Sequence, residues 1–126
     1  MKRTVFLVSD RTGITVDTMV HTLLTQFDEE DFERVTLPFM DNTEKIHVAV
    51  QQINAAADRD GVPPLVFSSL VDADCREALR QSRGILFDFF DAFIGPLESV
   101  LGRTSAHAMG RSHGMGNTRA YDERLE

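Results

Sequence analysis

The sequence has few lysines and cysteines and no long hydrophobic run. Neither of its two lysines, Lys2 and Lys45, follows a glycine, so a phosphate-binding loop of the Walker type cannot be drawn anywhere in the chain. The single cysteine, Cys75, excludes an internal disulfide and supplies no metal cluster. The longest uncharged apolar runs, 5–8 and 85–87, are far too short to span a membrane. We therefore expect no metal site and no membrane association.

The length and the first residues of the chain bear on its organisation and its compartment. A chain of 126 residues is long enough for one domain with a real hydrophobic core. A predicted strand begins directly after Lys2 and Arg3, which leaves no room for a secretory signal. Together with the single cysteine, this favours the cytoplasm.

Charge is distributed unevenly along the chain. The net charge is −7, and residues 1–102 carry nine lysines and arginines against seventeen aspartates and glutamates. An acidic body of this kind argues against nucleic acid and anionic membranes as partners. Residues 103–126 carry four arginines, three acidic residues and two of the four histidines. That segment is the only part whose composition suits a phosphate or a carboxylate.

Predicted strands and helices alternate along the chain. Short apolar segments predict strands over 4–9, 32–39, 65–67 and 84–87, and helical spacing predicts helices over 13–26, 43–58 and 72–83. The segment 89–101 is predicted to be helical in part and interrupted at Gly95-Pro96. Such alternation implies right-handed crossovers and a mainly parallel sheet. We expect an α/β fold with a four-stranded sheet and flanking helices, a flavodoxin- or Rossmann-like three-layer arrangement with an irregular C-terminal tail.

Polar residues mark the expected helix starts, and apolar residues mark the expected buried faces. Thr12, either Asn42 or Thr43, and Asp72 are suited to cap the three predicted helices. Apolar spacing predicts two core-facing stripes, one on each of the first two helices. The first stripe comprises Val16, Met19, Val20, Leu23, Leu24 and Phe27, and the second Ile46, Ala49, Val50, Ile53 and Ala57.

The turn after the first predicted strand is a candidate anion site. Ligands of open parallel sheets bind beyond the carboxyl ends of the strands, and Ser9, Asp10, Thr12 and Gly13 follow that end directly. Backbone N–H groups at a helix N-terminus favour anions, and the two hydroxyls add donors. The alternative is that Asp10 and Thr12 merely finish the turn and cap the helix. The single glycine excludes a dinucleotide-binding fingerprint.

Two further groups follow the third and fourth strands. Ser68 and Ser69 occupy the position equivalent to the first turn, where capping by Asp72 is favoured over ligand binding. Asp88 and Asp91, three residues apart, could share a helical face for acid–base or metal chemistry. Because no third ligand lies nearby in sequence, a solvated pair is the favoured interpretation. Cys75 is predicted to pack or to lie at the surface rather than act as a nucleophile.

The C-terminal segment carries a second candidate phosphate site. Arg111, Ser112 and His113 lie between Gly110 and Gly114, which places a cation, a hydroxyl and an imidazole on a flexible backbone. These are groups that bind a phosphate or a phosphorylated side chain. A linker without a binding role is the alternative.

Several of these motifs together carry a family resemblance that runs through nearly the whole chain. The matching segments are 9–15 (Ser-Asp-Arg-Thr-Gly-Ile-Thr), 36–39 (Thr-Leu-Pro-Phe), 65–68, 88–98, 110–114 and 121–124. In this order they resemble the N-terminal half of the regulatory proteins of pyruvate phosphate dikinase and phosphoenolpyruvate synthase. Arg11 departs from the pattern, since a glycine is usual there.

The resemblance implies a bifunctional bacterial enzyme that acts on another protein. Such proteins phosphorylate a threonine of phosphoenolpyruvate synthase or pyruvate phosphate dikinase with ADP, and remove that phosphate with inorganic phosphate, releasing pyrophosphate. It also implies that residues 1–102 form an α/β N-terminal domain, and that 103–126 lead to a separate P-loop kinase domain. ADP or ATP and phosphate would be used by the full-length protein, with no cofactor bound by this chain. No catalytic residue of the family can be assigned to a position in this chain, so the chain alone is expected to be inactive. Whether it forms a homodimer is left open.

Two other classes of function are weighed against this one. A stand-alone flavodoxin-like module that binds a small anion or a nucleotide would use the same turn at residues 9–13. A phospho-acceptor receiver domain is disfavoured because the first strand ends in one acid, the third ends in serines, and no lysine follows the fourth.

Overall fold

The structure is a computed structural model that describes residues 2–28 and 31–105. Its elements follow one another in the order β1 (Arg3–Val8), α1 (Ile14–Leu24), β2 (Phe32–Leu37), α2 (Thr43–Asp60), β3 (Leu65–Ser68), α3 (Ala73–Leu79) and β4 (Ile85–Asp88). A π-helical segment, Phe90–Ile94, continues directly into α4, Gly95–Leu101. The predicted alternation of strands and helices is confirmed.

The four strands form one parallel sheet in the order β2-β1-β3-β4. In register, Val5 of β1 pairs with Arg34 of β2 and with Leu65 of β3, and Leu65 pairs in turn with Ile85 of β4. Strands β1 and β3 are therefore the central pair, whereas β2 and β4 are the edges among the described residues. This is the α/β fold with a four-stranded parallel sheet that the sequence predicts.

Each face of the sheet carries its own core. Successive side chains of a strand point to opposite faces, so Val5 and Leu7 pack with α1, whereas Phe6 and Val8 pack against α2 and α3. Val16, Val20 and Leu24 are the buried residues of α1. Those of α2 are Ile46, Ala49, Ile53 and Ala56. Both predicted stripes are confirmed in their central positions. Leu23 and Phe27, however, are exposed, and on α2 it is Ala56 rather than Ala57 that is buried.

Several predicted boundaries are wrong by a few residues. Helix α1 is capped by Gly13, in the left-handed conformation with φ of 90°, rather than by Thr12. Strand β2 ends at Leu37, because Pro38 lacks an N–H and Phe39 has a φ of 57°. Helix α3 ends at Leu79, and the turns that follow it reach Ser82.

The segment after β4 also differs from the prediction. Gly95-Pro96 does not interrupt the helix but marks the change from π-helical to α-helical geometry. The N–H of Gly95 donates to the carbonyl of Phe90, five residues back, and Pro96 then occupies the first turn of α4, where its missing N–H costs little. Asn42 and Asp72 cap α2 and α3 as predicted, accepting from the N–H groups of Lys45 and Cys75 at 2.9 and 3.0 Å.

Candidate functional site

A crevice opens at the carboxyl ends of β1 and β3. These are the two neighbouring strands whose connections leave in opposite directions, which is where open α/β sheets bind ligands. The cavity has a volume of about 470 Å³. Its lining comes from the loops after β1, β2 and β3 and from the starts of α2 and α3, namely Asp10, Met40, Asp41, Asn42, Thr43, Leu70, Val71, Asp72, Asp74 and Cys75.

Backbone hydrogen bonds join the loops around this crevice. The N–H groups of Phe39 and Met40 donate to the carbonyls of Arg11 and Ser9, both at 2.8 Å. The N–H of Ser69 donates to the carbonyl of Val8 at 3.0 Å. The positive φ of Phe39 is uncommon for a bulky residue and coincides with the place where the β2 loop meets the β1 loop. The loops that form the crevice are thus joined to one another by backbone hydrogen bonds.

Of the described residues predicted to bind an anion, one lines the crevice and the others hold the turn before α1. Asp10 lines the crevice. Ser9 is buried, and its hydroxyl accepts a hydrogen bond from the N–H of Arg11 at 3.0 Å, which holds the turn. The hydroxyl of Thr12 accepts from the N–H of Ile14 at 3.4 Å, and Gly13 occupies the N-cap of α1. The predicted residues Arg111, Ser112 and His113 lie outside the described residues.

Gly13 is required by both its conformation and its surroundings. A Cβ atom built at this residue would lie 3.3 Å from Cγ2 of Thr36 on β2, and the φ of 90° is one that L side chains rarely adopt. The glycine therefore lets the β1 loop approach β2 closely, which is a structural role that the sequence-based anion-site prediction does not include.

Carboxyl groups dominate the electrostatics of the crevice. Partial burial raises the pKa of Asp10, and the nearby negative charge of Asp41 adds to that rise. A backbone hydrogen bond from Val71 and the charge of Arg11 lower the same pKa but do not offset the burial. The side chain of Lys45, by contrast, donates to Asp41 at 3.0 Å and holds the pKa of that exposed carboxyl below its usual range. The crevice therefore favours a hydroxyl or a cation over a bare anion.

Two asparagine substitutions in the crevice are expected to shift stability in opposite directions. An acid whose folded-state pKa is raised is costly once it ionises, so Asp10→Asn should raise the melting temperature at pH 7 and leave it unchanged near pH 3. Asp41→Asn should lower the melting temperature at pH 7, and the loss should shrink as the pH falls toward the depressed folded-state pKa of this carboxyl. Thermal unfolding between pH 3 and pH 8 checks both, and shifts of the same sign would contradict the assignment.

Cys75 borders the crevice but is unsuited to nucleophilic chemistry. The residue is buried, and burial raises the pKa of its thiol to about 11, with the hydrogen bond to Asp72 as the next contribution. The thiolate is the reactive form of cysteine, so this thiol is inert near neutral pH. The prediction of a packing role is confirmed, since Cys75 belongs to the core between the sheet and α3.

A second polar cluster joins α3 to the segment after β4. Arg76 of α3 is buried, and its Nε and Nη2 atoms donate to Oδ2 of Asp88 at 3.0 and 2.9 Å. Nη2 of Arg76 also donates to Asp91, and the guanidinium carbon lies 4.1 Å from the ring centre of Phe90. Arg80, the C-cap residue of α3, pairs with Oδ2 of Asp91 at 3.0 Å. The buried Arg76–Asp88 pair, in which two guanidinium nitrogens share one carboxylate oxygen, is thus extended by the more exposed Arg80–Asp91 pair.

This cluster corrects the expectation of a solvated Asp88–Asp91 pair. Only 6% of the Asp88 side chain is exposed, and its Oδ1 atom accepts from the N–H of Phe90 at 2.8 Å. Sequence reasoning missed Arg76 and Arg80. Two arginines four residues apart lie on the same face of a helix, and this spacing was a signal that they could pair with two nearby acids. Burial raises the pKa of Asp91, but hydrogen bonds from Arg80 and Arg76 outweigh it and leave that pKa lowered.

Comparison with known proteins identifies the family. The model of a family described as kinase/pyrophosphorylase matches residues 5–126. The chain belongs to the kinase/pyrophosphorylase family. Three curated relatives share the name "Putative phosphoenolpyruvate synthase regulatory protein". The proteins of Alkalilimnicola ehrlichii, Pseudomonas putida and Legionella pneumophila are 49%, 47% and 43% identical to it over 99%, 100% and 100% of this chain.

The match covers only part of each relative. It spans 45% of the Alkalilimnicola protein and 46% of the other two, so the chain spans about half the length of the curated relatives it matches. The family match includes both polar clusters, with Asp10 in the first and Arg76, Asp88 and Asp91 in the second. Within the described ranges, no helix has the length and apolar character needed to cross a membrane. The same ranges contain no group of three or more histidine, cysteine or acidic side chains placed to hold a metal ion.

Proposed function

We propose that this chain is the N-terminal α/β domain of a bifunctional protein kinase and pyrophosphorylase that regulates phosphoenolpyruvate synthase. The match of residues 5–126 to the kinase/pyrophosphorylase family carries this proposal. The relatives' names support the synthase as the target, rather than pyruvate phosphate dikinase. In the forward reaction, a threonine hydroxyl of the target takes the terminal phosphoryl group of ADP, leaving AMP. In the reverse reaction, inorganic phosphate takes that group from the phosphothreonine and leaves as pyrophosphate.

In this proposal, the nucleotide is bound by a part of the full-length polypeptide that lies outside the match. Phosphoryl transfer depends on positioning the phosphates and neutralising their charge, which a glycine-rich loop with a lysine commonly does. Lys2 and Lys45 are the only lysines of this chain, and neither follows a glycine. The described residues instead offer a rigid parallel sheet and an acidic crevice. ADP, ATP and phosphate would accordingly be ligands of the full-length protein.

Within this division of labour, the crevice and the turn beside it contact different groups. Phosphate would approach the N-terminal end of α1, where Thr12 and Gly13 lie, and the C-terminal residues Arg111, Ser112 and His113 would add cationic and hydroxyl contacts. Asp10 faces the crevice instead and would accept a hydrogen bond from a hydroxyl or a cationic side chain of the target. The carboxylates around it disfavour a phosphate bound deep in the crevice.

A chimera tests the proposal. It joins residues 1–126 of this chain to the part of the Alkalilimnicola polypeptide that follows the match, and it is compared with the complete Alkalilimnicola protein. We expect the chimera to phosphorylate phosphoenolpyruvate synthase with ADP and to release pyrophosphate when phosphate is supplied. An inactive but cooperatively folded chimera, alongside an active Alkalilimnicola protein, would overturn the proposal.

A stand-alone binding module is the second candidate. The order β2-β1-β3-β4 is the beginning of a flavodoxin-like sheet, and the cavity of about 470 Å³ lies at its switch point. Calorimetric titration of the 126-residue chain with AMP, ADP and inorganic phosphate distinguishes this module from the domain of a kinase and pyrophosphorylase. Tight binding by the chain alone would favour the module.

A further inference from the structure

An apolar strip runs along one side of the sheet edge and onto the helix beyond it. It comprises Ile85 and Phe87 of β4, Phe93 of the π-helical segment, and Leu97 and Leu101 of α4, all of which are exposed. The exposed fractions of Phe87, Phe93 and Leu97 are 45%, 52% and 49%. Contiguous exposed apolar surface of this kind marks an interaction site in soluble proteins more often than scattered single residues do.

Aromatic contacts connect the strip to the core on the α1 side of the sheet. The ring of Phe87 stacks on that of Phe67, with centroids 4.9 Å apart, and Phe67 belongs to the core formed with α1. Phe89 lies 6.3 Å from Phe67 and 6.2 Å from Phe93, so it links the sheet to the helical segment. The strip is therefore an extension of the α1-side core that is left open to solvent.

The topology shows why this part of the sheet is open. Of the helices that the structure describes, α2 and α3 pack on one face, against Phe6, Val8 and Val66, and α1 packs on the other. Parallel sheets are ordinarily covered by helices on both faces. Among the described residues, no second helix lies beside α1 over β3 and β4, since α4 buries none of its residues. The α1 side of β3 and β4 is therefore left without the helix that covers a parallel sheet elsewhere.

We propose that the apolar strip is the docking surface for an amphipathic helix supplied by the part of the family polypeptide outside the 126-residue match. This inference rests on the proposed function, which makes the chain one domain of a longer protein. The curated relatives carry more than half of their length outside the match. The strip also follows α4 toward the end of the described residues, where the N–H of Ser105 donates to Glu98 at 2.8 Å.

The network of Arg76, Asp88 and Asp91 gives the strip its rigid placement. It ties α3 to both ends of the Phe89–Phe90 dipeptide and so fixes the direction in which the helix leaves β4. A docking helix would meet a preformed surface, because Phe87 stacks on the buried ring of Phe67 and Phe93 contacts Phe89, which contacts Phe67 in turn. Such preorganisation reduces the entropy cost of docking.

Thiol labelling measures whether the strip is covered. Phe87→Cys is compared with Val48→Cys, which lies on α2 away from the strip and replaces a side chain of similar exposure, 53%. Each is made in the 126-residue chain and in the chimera, and its reaction with a maleimide is timed. The buried Cys75, with a thiol pKa of about 11, contributes little background.

We expect the thiol of Phe87→Cys to react about tenfold or more slowly in the chimera than in the chain alone, since it becomes accessible only when the docked helix opens. Val48→Cys should react equally in both. Phe93→Cys repeats the test at a second position in case Phe87→Cys fails to fold. Equal rates at the strip positions in the two proteins would overturn the inference.

The controls separate this inference from its alternatives. An active chimera with unprotected thiols would refute the docking helix and retain the proposed function. Protected thiols in an inactive chimera would retain the docking helix and refute the proposed function. Protection in the chain alone that grows with its concentration would assign the strip to a second copy, against the proposal. Protection in the chain alone at every concentration would assign it to residues 106–126, also against the proposal.

Discussion

Replacing Arg76 with methionine is expected to lower the free energy of unfolding by about 3–5 kcal/mol, the usual cost of removing one partner of a buried ion pair. The Arg76 and Asp88 side chains are only 9% and 6% exposed, so the variant leaves a buried carboxylate without its cation. It also removes the link to Asp91 and the contact with the ring of Phe90. Because a domain of this size is stabilised by only about 5–15 kcal/mol, the urea midpoint should fall markedly.

Two further variants show whether the loss comes from the unpaired charge. Arg76→Met combined with Asp88→Asn should recover a large part of the stability, since the amide is neutral and its oxygen can still accept from the N–H of Phe90. Arg83→Met breaks an ion pair with Asp58 whose side chains are both mostly exposed, and should cost no more than about 1 kcal/mol. An Arg76→Met variant as stable as Arg83→Met would show that the buried pair has no such role.

The overall fold could be predicted from the sequence because its signals are strong and local. Apolar residues recur with strand or helix periodicity, and capping residues such as Asn42 and Asp72 precede the helices they cap. The misplaced boundaries depend on backbone conformation instead. Gly13 replaces Thr12 as the cap because the backbone there has a left-handed φ and passes close to Thr36 of β2, and nothing in the local sequence announces that contact.

The candidate site was predicted less completely, for a related reason. The end of β1 could be found, because the carboxyl ends of parallel strands are where ligands bind. The other residues around Asp10 come from loops some 30 and 60 positions further along the chain, so the acidic character of the crevice emerges only in the folded structure. The buried state of Asp88 likewise depends on Arg76, twelve residues earlier on a different element.

The second large effect concerns phosphoryl transfer by the chain alone. The proposed division of labour places the nucleotide-binding loop outside the match, so the 126-residue chain should lack phosphotransferase activity entirely. The loss is expected to be complete rather than partial, because positioning and charge neutralisation of the phosphates supply nearly all of the catalysis in this class of reaction. A cooperative thermal transition of the same preparation controls for misfolding.

The decisive measurement follows label from ADP with a radioactive terminal phosphate into phosphoenolpyruvate synthase. The 126-residue chain and the chimera are assayed side by side at equal concentration. We expect phosphothreonine to form with the chimera and no label above background with the folded chain alone. Transfer of label by the chain alone would contradict the account, since these 126 residues would then carry the catalytic machinery themselves.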